Sequence, residues 1–384
     1  MTMNKKIFAI DIRLIGKKRT GDETVFFHLT KELIRLDSEN EYHLLTDEMN
    51  EDVLADITER LDIAHNSNVK IVSLRARNRF IWNLLTVPKY LFQNTIDVFH
   101  TQYIVPFFVP RRTKLVTHIH DVSFCAYPDM IGKGDRFFLA ILIPYALRRA
   151  DTIITPSQFT KDEIVKYYNV SEEKIVVIYN GIGEEFTKPH IFSSENGVLL
   201  KEKYRLPEHF ILSVGTLQPR KNLPFLIEAF ALLKKRLPEI KLVIVGNRKA
   251  HHIDPRIDQT ILTYNLTSDV IFPGFIDAED LPNFISMTHV FVFPSLYEGF
   301  GIPLLEAMSQ TVPVCASDIP SLREIGGEAV LYFDPTKLAS CEESLYNLCT
   351  NEALRESIKE AGRERMKLFS WEKSAVLLLE EYKK

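Results

Sequence analysis

The sequence predicts an α/β protein made of two doubly wound domains, each with a parallel sheet covered by helices. Short apolar runs rich in β-branched residues alternate with longer helical patterns along the chain. This alternation is typical of parallel strands buried on both faces. It occurs as two series, separated by a polar stretch at 183–206 that we interpret as an irregular linker. A chain of 384 residues also exceeds the usual size of one core.

The first series begins with the apolar run KIFAID. Its strands are predicted at 6–11, 41–45, 69–72, 97–100, 114–118, 152–155 and 174–178, and its helices at 22–36, 135–149 and 157–168. Ser157 can cap the last of these helices with its hydroxyl. The run FFLAILIPYAL, at 137–147, is too short to span a bilayer. We interpret it as a buried helix, with peripheral membrane contact as the alternative.

The second series has the same alternation and ends in a separate amphipathic segment. Its strands are predicted at 210–214, 241–245, 270–272, 290–293, 312–316 and 329–333, with helices between them. Ligands of such sheets bind beyond the carboxyl ends of the strands. The last segment places apolar residues on one helical face: Trp371, Ala375, Leu378, Leu379 and Tyr382.

Composition and motifs exclude several classes of protein. The net charge is −4 and neither half of the chain is strongly basic, which argues against a general nucleic-acid binder. Four cysteines without a CxxC pair predict reduced thiols in a cytosolic protein, and we expect no secretory signal peptide. The turn after the first strand lacks GxGxxG, and no GxxxxGK[ST] loop is present, so nicotinamide and P-loop sites are not predicted.

The most informative stretch is YEGFGIPLLEAM, at 297–308. A buried strand leads into a glycine turn, and a helix with Pro303 near its start follows. The turn presents backbone N–H groups to a ligand, and Glu298 and Glu306 can accept hydrogen bonds from sugar hydroxyls. The alternative is an ordinary strand–helix turn with two solvated glutamates.

A second stretch, SVGTLQPRKNLPFLIEAF at 213–230, carries two adjacent cations. Arg220 and Lys221 lie between a strand that ends near Gly215 and a helix that opens near Pro224. Two cations beside a helix N-terminus suit a diphosphate. The alternative is a solvated basic turn.

A third stretch, VTHIHDVSF at 116–124, contains alternating histidines. His118 and His120 share one face of a strand, so a metal site is one interpretation. No further cluster of ligands accompanies them, and a structural His118 beside a functional His120 is the other interpretation.

Together, these stretches resemble glycosyltransferase family 4, whose members are retaining enzymes of the GT-B fold. Glu298 to Glu306 matches the family's E-x7-E signature, and the 213–230 stretch matches its donor-diphosphate loop. The resemblance implies two Rossmann-like domains facing a cleft, at 1–186 on the acceptor side and 187–368 on the nucleotide-sugar side. It also implies that a C-terminal helix, 369–384, crosses back onto the N-terminal domain.

The resemblance also implies the role of each site residue. Glu306 would contact the ribose, Glu298 the donor sugar, and His120 the sugar near its reacting carbon. The catalytic group would be His120, Arg220, Lys221 and Glu298. The remaining donor-binding positions would be Gly21, Gly215, Gly246, Arg248, Phe275, Ile276, Gly299, Phe300 and Gly301, with no metal. Phe275 and Ile276 would meet the base, and Arg248 is equally well explained as a surface residue.

The resemblance implies transfer of a hexose from a nucleotide-diphosphate sugar to a saccharide or lipid-linked acceptor, without a cofactor. GDP-mannose and UDP-glucose are the leading donors, and polysaccharide assembly is the expected setting. A sugar-nucleotide epimerase, a phosphorylase and a non-catalytic scaffold subunit remain alternatives. One departure affects the acceptor side: the family's T-G-x-x-R-Y loop is TGDETV here, at 20–25.

One feature does not come from a motif. Between residues 63 and 120 the sequence has eight basic residues and one acid, Asp97, and aromatic and aliphatic residues are interleaved with the cations. One interpretation is a solvated helix with a buried face. The other is a patch at 70–89 that contacts anionic lipid or a lipid-diphosphate acceptor. We therefore expect a cytoplasmic protein, with peripheral contact at the inner face of the membrane under the second interpretation.

Overall fold

The structure is a computed structural model that describes residues 5–17, 21–130, 132–187, 194–248 and 252–384. The chain divides into two compact units. The first contains the described residues up to Val122, Lys133–Gly181 and Ser370–Lys384, and the second contains Ser123–Gly132 and Ile182–Phe369. The sequence-based domain boundaries lie close by, at 186/187 and 368/369.

The first unit has a parallel sheet, seven-stranded in the described part of the chain. Its strands are β1 (Ile7–Asp11), β2 (Glu41–Thr46), β3 (Val69–Ser73), β4 (Val98–Gln102), β5 (Lys114–His118), β6 (Thr152–Thr155) and β7 (Ile175–Val177). Their order is β3-β2-β1-β4-β5-β6-β7, and Ala9 of β1 lies opposite His43 of β2 and Phe99 of β4. The strand order therefore reverses between β1 and β4.

The second unit has a parallel sheet of six described strands. They are β8 (Phe210–Val214), β9 (Lys241–Val245), β10 (Val270–Ile271), β11 (Val290–Phe293), β12 (Val314–Ser317) and β13 (Val330–Phe333). The order β10-β9-β8-β11-β12-β13 reverses between β8 and β11. Neighbouring residues of β8, Ile211 and Leu212, belong to different hydrophobic clusters, so the sheet is buried on both faces.

Helices connect the strands in both units. They are α1 (Gly21–Leu36), α2 (Glu51–Arg60), α3 (Arg79–Ile81), α4 (Val87–Gln93), α5 (Ser123–Ala126), α6 (Lys133–Arg149), α7 (Gln158–Tyr168), α8 (Glu184–Thr187), α9 (Ser194–Tyr204), α10 (Leu223–Arg236), α11 (Arg256–Thr263), α12 (Leu281–Ser286), α13 (Ile302–Ser309), α14 (Pro320–Gly326), α15 (Leu338–Thr350), α16 (Glu352–Met366) and α17 (Trp371–Lys383). A π-helical turn, Trp82–Thr86, joins α3 to α4. The strand predictions are confirmed to within about two residues, as is the cap of α7, where Ser157 Oγ accepts from Thr160 N.

The terminal helix α17 packs within the first unit, against α1. The Trp371 ring stacks on His28 of α1 at 5.4 Å, and the Tyr382 hydroxyl lies 2.6 Å from Nδ1 of His100 on β4. The predicted apolar face is confirmed at Trp371, Ala375, Leu378 and Tyr382, whereas Leu379 is half-buried. The packing of this helix on the N-terminal sheet is therefore confirmed.

Two predictions were wrong. The stretch 183–206 is not an irregular linker over its described part: α8 and α9 lie within it, and Leu200, Tyr204 and Leu206 pack into the core of the second unit.

The run 137–147 is not a fully buried helix. One face of α6 is buried, but Phe137, Phe138 and Ile141 are exposed. Both faces of this helix are apolar, so the sequence pattern could not indicate which one packs on the sheet.

Candidate functional site

The loops after β8 and β11 meet where the strand order of the second sheet reverses. Ligands of doubly wound sheets bind at this point, beyond the carboxyl ends of the strands. The 3₁₀ turn Pro219–Lys221 follows β8, and the glycine turn at 299–301 follows β11. The Leu296 N–H donates to the carbonyl of Arg220 at 2.8 Å, which joins the two loops directly. Both strong sequence motifs therefore lie at one edge of one sheet.

The glycine turn ends in a left-handed residue. Gly301 has φ of +106°, a conformation that a side chain would strain, and a Cβ there would lie 2.9 Å from Leu322. The helix α13 begins at the next residue, with Pro303 in its first turn. The Phe300 ring packs edge-on against Phe369 at 5.8 Å, so this side chain anchors the turn in the core. The contribution of Gly299 and Phe300 to a ligand would therefore come from their backbone.

Asn222 places the two cations and opens the next helix. It is left-handed, with φ of 56°, and its amide donates to the carbonyl of Pro335 at 3.1 Å. This fixed turn starts α10 at Leu223, with Pro224 in its first turn. Arg220 and Lys221 are thereby held at the N-terminal end of α10, next to the glycine turn.

Glu298 bridges both cations. Lys221 Nζ donates to Glu298 Oε1 at 2.5 Å, and Arg220 Nη1 donates to Oε2 at 3.1 Å. Arg220 Nη1 also donates to the carbonyl of Tyr297 at 3.2 Å, and the Lys221 ammonium lies 4.8 Å from the centre of the Phe293 ring. Lys221 and Glu298 are 9% and 7% exposed, so neither is a solvated surface charge.

The two cations set the ionisation state of Glu298. Burial alone would raise the pKa of Glu298, but the charges of Lys221 and then Arg220 outweigh it and hold that pKa at about 2. The carboxylate is therefore ionised at neutral pH and is shared by two cations. Two cations next to a helix N-terminus suit an anionic ligand.

Gly215 and Gly246 lie against each other beside this cluster. A Cβ on Gly246 would lie 2.4 Å from the Gly215 carbonyl oxygen, so the turn after β9 requires glycine to approach the turn after β8. A small cavity of about 10 Å³ lies between the ends of β8 and β11, and its lining includes Gly215, Lys221 and Ser295. Glu306 is buried on the second turn of α13, at 6% exposure.

The other predicted donor-binding residues of this unit follow β9 and β10. Arg248 forms an ion pair with Asp258 and lies 4.3 Å from the Phe272 ring, with its side chain 42% exposed. Phe275 is 70% exposed, whereas Ile276 is buried in the core. Their backbone follows the short strand β10. The Arg248 side chain is thus engaged in a surface ion pair, and its contact with ribose or phosphate stays a prediction.

His120 belongs to the first unit, just beyond β5. Its Nε2 lies 3.1 Å from Oε1 of Gln102 and 4.0 Å from the carboxylate of Asp22, in the first turn of α1. Its ring stacks on His118 at 4.4 Å, so the two histidines share a face as predicted. Gly21 begins α1 and is not part of a described loop; Thr20 lies outside the described residues.

His120 is the first of three imidazole rings that stack in a row, followed by His118 and His100. His118 stacks in turn on His100 at 6.1 Å. Burial, together with the His120 charge, lowers the pKa of His118 well below its usual value and that of His100 to about 3. Both buried rings are therefore neutral at physiological pH. Among the described residues, no group of three or more His, Cys, Asp or Glu side chains is placed to hold a metal ion.

Sequence reasoning missed two contacts of interest. Tyr127 donates to the carbonyl of Leu296 at 3.3 Å and packs edge-on against Tyr297 at 6.0 Å, so Tyr127 lies against the loop that carries Glu298. In the first unit, Asp11 ends β1 and accepts hydrogen bonds from Arg13 and from Trp82 Nε1. Neither pair has a sequence signature, because the partners of Tyr127 and Asp11 come mostly from distant parts of the chain.

Comparison with known families identifies the chain. Residues 19–186 match the model described as Glycosyltransferase Family 4, and residues 200–365 match Glycosyl transferases group 1. The chain belongs to this glycosyltransferase family, as its motifs indicate.

Two curated relatives from Escherichia coli are mannosyltransferases. One, the O-antigen chain mannosyltransferase B, is 30% identical over 283 residues, which cover 72% of each chain. The other, the serotype-specific mannosyltransferase WbdA, is 34% identical over 235 residues, which cover 61% of this chain. The chain matches only 29% of the length of WbdA.

A solved structure confirms the fold. Anabaena HepE in complex with UDP-glucose superposes with a TM-score of 0.72 at 18% identity, covering 98% of this chain and 99% of that one. The predicted GT-B fold is thereby confirmed. Among the described residues, the helices are too short or too polar to cross a membrane.

Proposed function

We propose that this protein is a retaining glycosyltransferase that moves a hexose from a nucleotide-diphosphate sugar to a hydroxyl of a saccharide or lipid-linked acceptor. The observation that carries the proposal is the buried cluster of Arg220, Lys221 and Glu298 at the reversal point of the second sheet. A net positive, partly desolvated pair of cations is what a departing diphosphate requires.

The proposed chemistry is electrostatic. The bond between the sugar's anomeric carbon and the diphosphate breaks, and its electrons pass to the phosphate oxygen, where Arg220 and Lys221 stabilise the charge. The acceptor oxygen bonds to the same face of that carbon. The acceptor proton passes to the donor phosphate, since the family resemblance provides no dedicated base. His120 supports the electron-poor ring, a role that rests on the resemblance.

Glu298 has two parts in this proposal. Before the donor binds, its carboxylate neutralises one of the two cations that would hold the diphosphate. When the diphosphate binds, the carboxylate becomes available to accept a hydrogen bond from a sugar hydroxyl. An exchange of partners of this kind would couple diphosphate binding to sugar binding.

The relatives favour mannose as the sugar. Two curated relatives are named as mannosyltransferases, and one as an O-antigen chain enzyme, which supports GDP-mannose as the donor and a growing polysaccharide as the acceptor. UDP-glucose, the ligand of Anabaena HepE, is the second candidate donor. Within the described part of the chain the four cysteines form no disulfide, which supports a reducing, cytoplasmic setting.

The test is thermal stabilisation of the purified protein by GDP-mannose, UDP-glucose and other nucleotide sugars, followed by a search for a glycosidic product with saccharide acceptors. We expect one nucleotide class to raise the Tm and to yield product with the anomeric configuration retained. The matched control is Glu306→Ala, which removes the proposed ribose contact.

Each alternative has its own outcome. Stabilisation without transfer to any acceptor would favour a scaffold subunit, and conversion of the donor without an acceptor would favour an epimerase. No stabilisation by any nucleotide sugar would contradict the donor site itself.

A further inference from the structure

An exposed apolar face on the first unit is unexplained by the proposed chemistry. Two helical segments, the turns at 79–85 and the start of α6, supply most of it, and the loop between β4 and β5 adds Phe108. Its members are large apolar side chains that are each 38–63% exposed: Phe80, Leu84, Leu85, Phe108, Phe137, Phe138 and Ile141. We call these seven residues the aromatic face. Exposed apolar side chains are ordinary when isolated, but a group of this size indicates a binding surface.

Direct contacts join the two segments. The Phe80 and Phe138 rings are 5.3 Å apart, and the Phe137 and Phe138 rings 6.0 Å apart. Phe107 makes a second connection on the same side of the unit. Its N–H donates to the carbonyl of Asn83 at 3.1 Å, and its own carbonyl accepts from the Tyr145 hydroxyl of α6 at 2.9 Å. The helical turns at 79–85 and the start of α6 are therefore held together by ring contacts and hydrogen bonds.

Exposed cations lie on the segments that build this face and next to them in the chain. The Arg79 guanidinium lies 5.6 Å from the Phe80 ring and 5.7 Å from the Phe138 ring, between the two segments. Arg75, Arg77, Lys89, Arg136 and Arg148 are all exposed on the same segments or next to them in the chain. The two stretches that carry these cations, 74–89 and 133–149, together contain eight lysines and arginines and one aspartate.

This local charge opposes that of the whole chain, which is −4. A surface so positive repels an identical copy of itself, so a symmetric dimer through the aromatic face is disfavoured. Aromatic and aliphatic side chains with cations between them suit the boundary of an anionic bilayer. There the rings enter the headgroup and acyl region while the cations contact lipid phosphates.

We propose that the aromatic face docks the protein on an anionic lipid bilayer, with Phe137, Phe138 and Ile141 entering the headgroup region. Each cation near the bilayer is attracted electrostatically to anionic lipid, and salt screens this attraction. Each ring contributes hydrophobic burial in the bilayer, which salt does not screen. Binding should therefore weaken with ionic strength but persist in part.

The test is co-sedimentation of the full chain with vesicles of phosphatidylcholine, with and without phosphatidylglycerol. We expect binding that requires phosphatidylglycerol. The variant Phe137→Ser/Ile141→Ser should bind at least about tenfold more weakly, because two exposed apolar side chains are lost. The variant Arg77→Glu should also bind more weakly and should lose part of the salt dependence.

Matched controls lie on the second unit. Leu199→Ser/Leu262→Ser removes two aliphatic side chains that are 62% and 67% exposed, and Lys235→Glu reverses an exposed charge. Both should bind vesicles as the wild type does. All four variants change exposed residues and should keep the wild-type Tm.

Two outcomes would overturn the proposal. One is the absence of vesicle binding, or equal binding by the aromatic-face and control variants. The other is self-association of the wild type in light scattering, which Phe137→Ser/Ile141→Ser abolishes without changing vesicle binding. That result would assign the face to a second copy of the chain. Because the readout is vesicle binding, failure here leaves the proposed transferase activity untouched.

Discussion

The two sheets share a topology but differ in what lies at their reversal points. In the second unit, two cations, Arg220 and Lys221, share one buried carboxylate, Glu298. In the first unit, Asp11 faces one cation, Arg13, at 2.8 Å, and its other partners, Trp82 and Thr101, are neutral donors. We call the Asp11 cluster balanced, because it pairs one cation with one carboxylate, and the Glu298 cluster unbalanced, because two cations share one carboxylate.

This difference suggests a structural role for the Asp11 cluster and a ligand-binding role for the Glu298 cluster. In the Asp11 cluster, the carboxylate at the end of β1 is hydrogen-bonded by side chains of the same unit. The Arg13 guanidinium also lies 4.4 Å from the Trp82 ring. At the Glu298 cluster two cations share one carboxylate, and a diphosphate could bind to both cations. The same strand order thus provides an anchor in one unit and a candidate ligand site in the other, and the loop residues decide which.

The largest expected effect is on catalysis. Lys221→Ala removes a cation from the unbalanced cluster and should lower kcat by about 10²–10³-fold, the cost of losing one group that stabilises transition-state charge. Steady-state transfer assays test this, with Lys235→Ala, an exposed lysine of α10, as the control. Wild-type turnover by Lys221→Ala would show that the cluster is structural, like its counterpart.

The second effect is on acid stability. The pKa of Glu298 falls from its usual 4.5 to about 2 on folding, so ionised Glu298 stabilises the fold above pH 4.5. That contribution, about 3 kcal/mol, should be lost as the pH falls through about 2. Urea unfolding of the wild type and Glu298→Gln should therefore converge towards low pH. The control Glu360→Gln, at an exposed pair, should run parallel to the wild type; a constant gap for Glu298→Gln would contradict the assignment.

The third effect is confined to the balanced cluster. Trp82→Phe keeps a buried ring but removes the donor 3.0 Å from Asp11, and a hydrogen bond to a charged group is worth about 2 kcal/mol. Chemical unfolding should show that loss, with nucleotide affinity unchanged. If Trp82→Phe weakened nucleotide binding and left stability unaltered, the distinction between the two clusters would fail.

The fourth effect sharpens the role of Glu298. Glu298→Gln removes the anion that competes for Arg220 and Lys221, so GDP or UDP without a sugar should bind about tenfold more tightly. Calorimetric titration measures this, while transfer from the full donor should fall. Unchanged or weaker nucleoside diphosphate affinity would mean that Glu298 does not compete with the diphosphate.

The sequence predicted the strands, the two motif loops and the family, because each depends on local periodicity or on a short pattern. It could not predict contacts between distant segments. Glu298 lies 77 residues from Lys221 in the chain, and the bridge between them depends on how β8 and β11 meet. Similarly, Tyr127 reaches Leu296 across 169 residues. The exposed side of α6 was also missed, since a helix that is apolar all round gives no sign of its buried face.

The smallest expected effect concerns the terminal helix, which belongs to the unit of the balanced cluster. Tyr382→Phe removes the hydroxyl that shares a hydrogen bond with His100, and a net loss of about 1 kcal/mol is expected. Leu377→Ala, at a side chain 44% exposed on the same helix, should change stability by less than half of that. Because His100 stacks beneath His118 and His120, a lowered kcat in Tyr382→Phe at unchanged stability would extend the functional region inward along the imidazoles. A loss of stability with unchanged kcat would indicate that α17 stabilises the first unit and takes no part in catalysis.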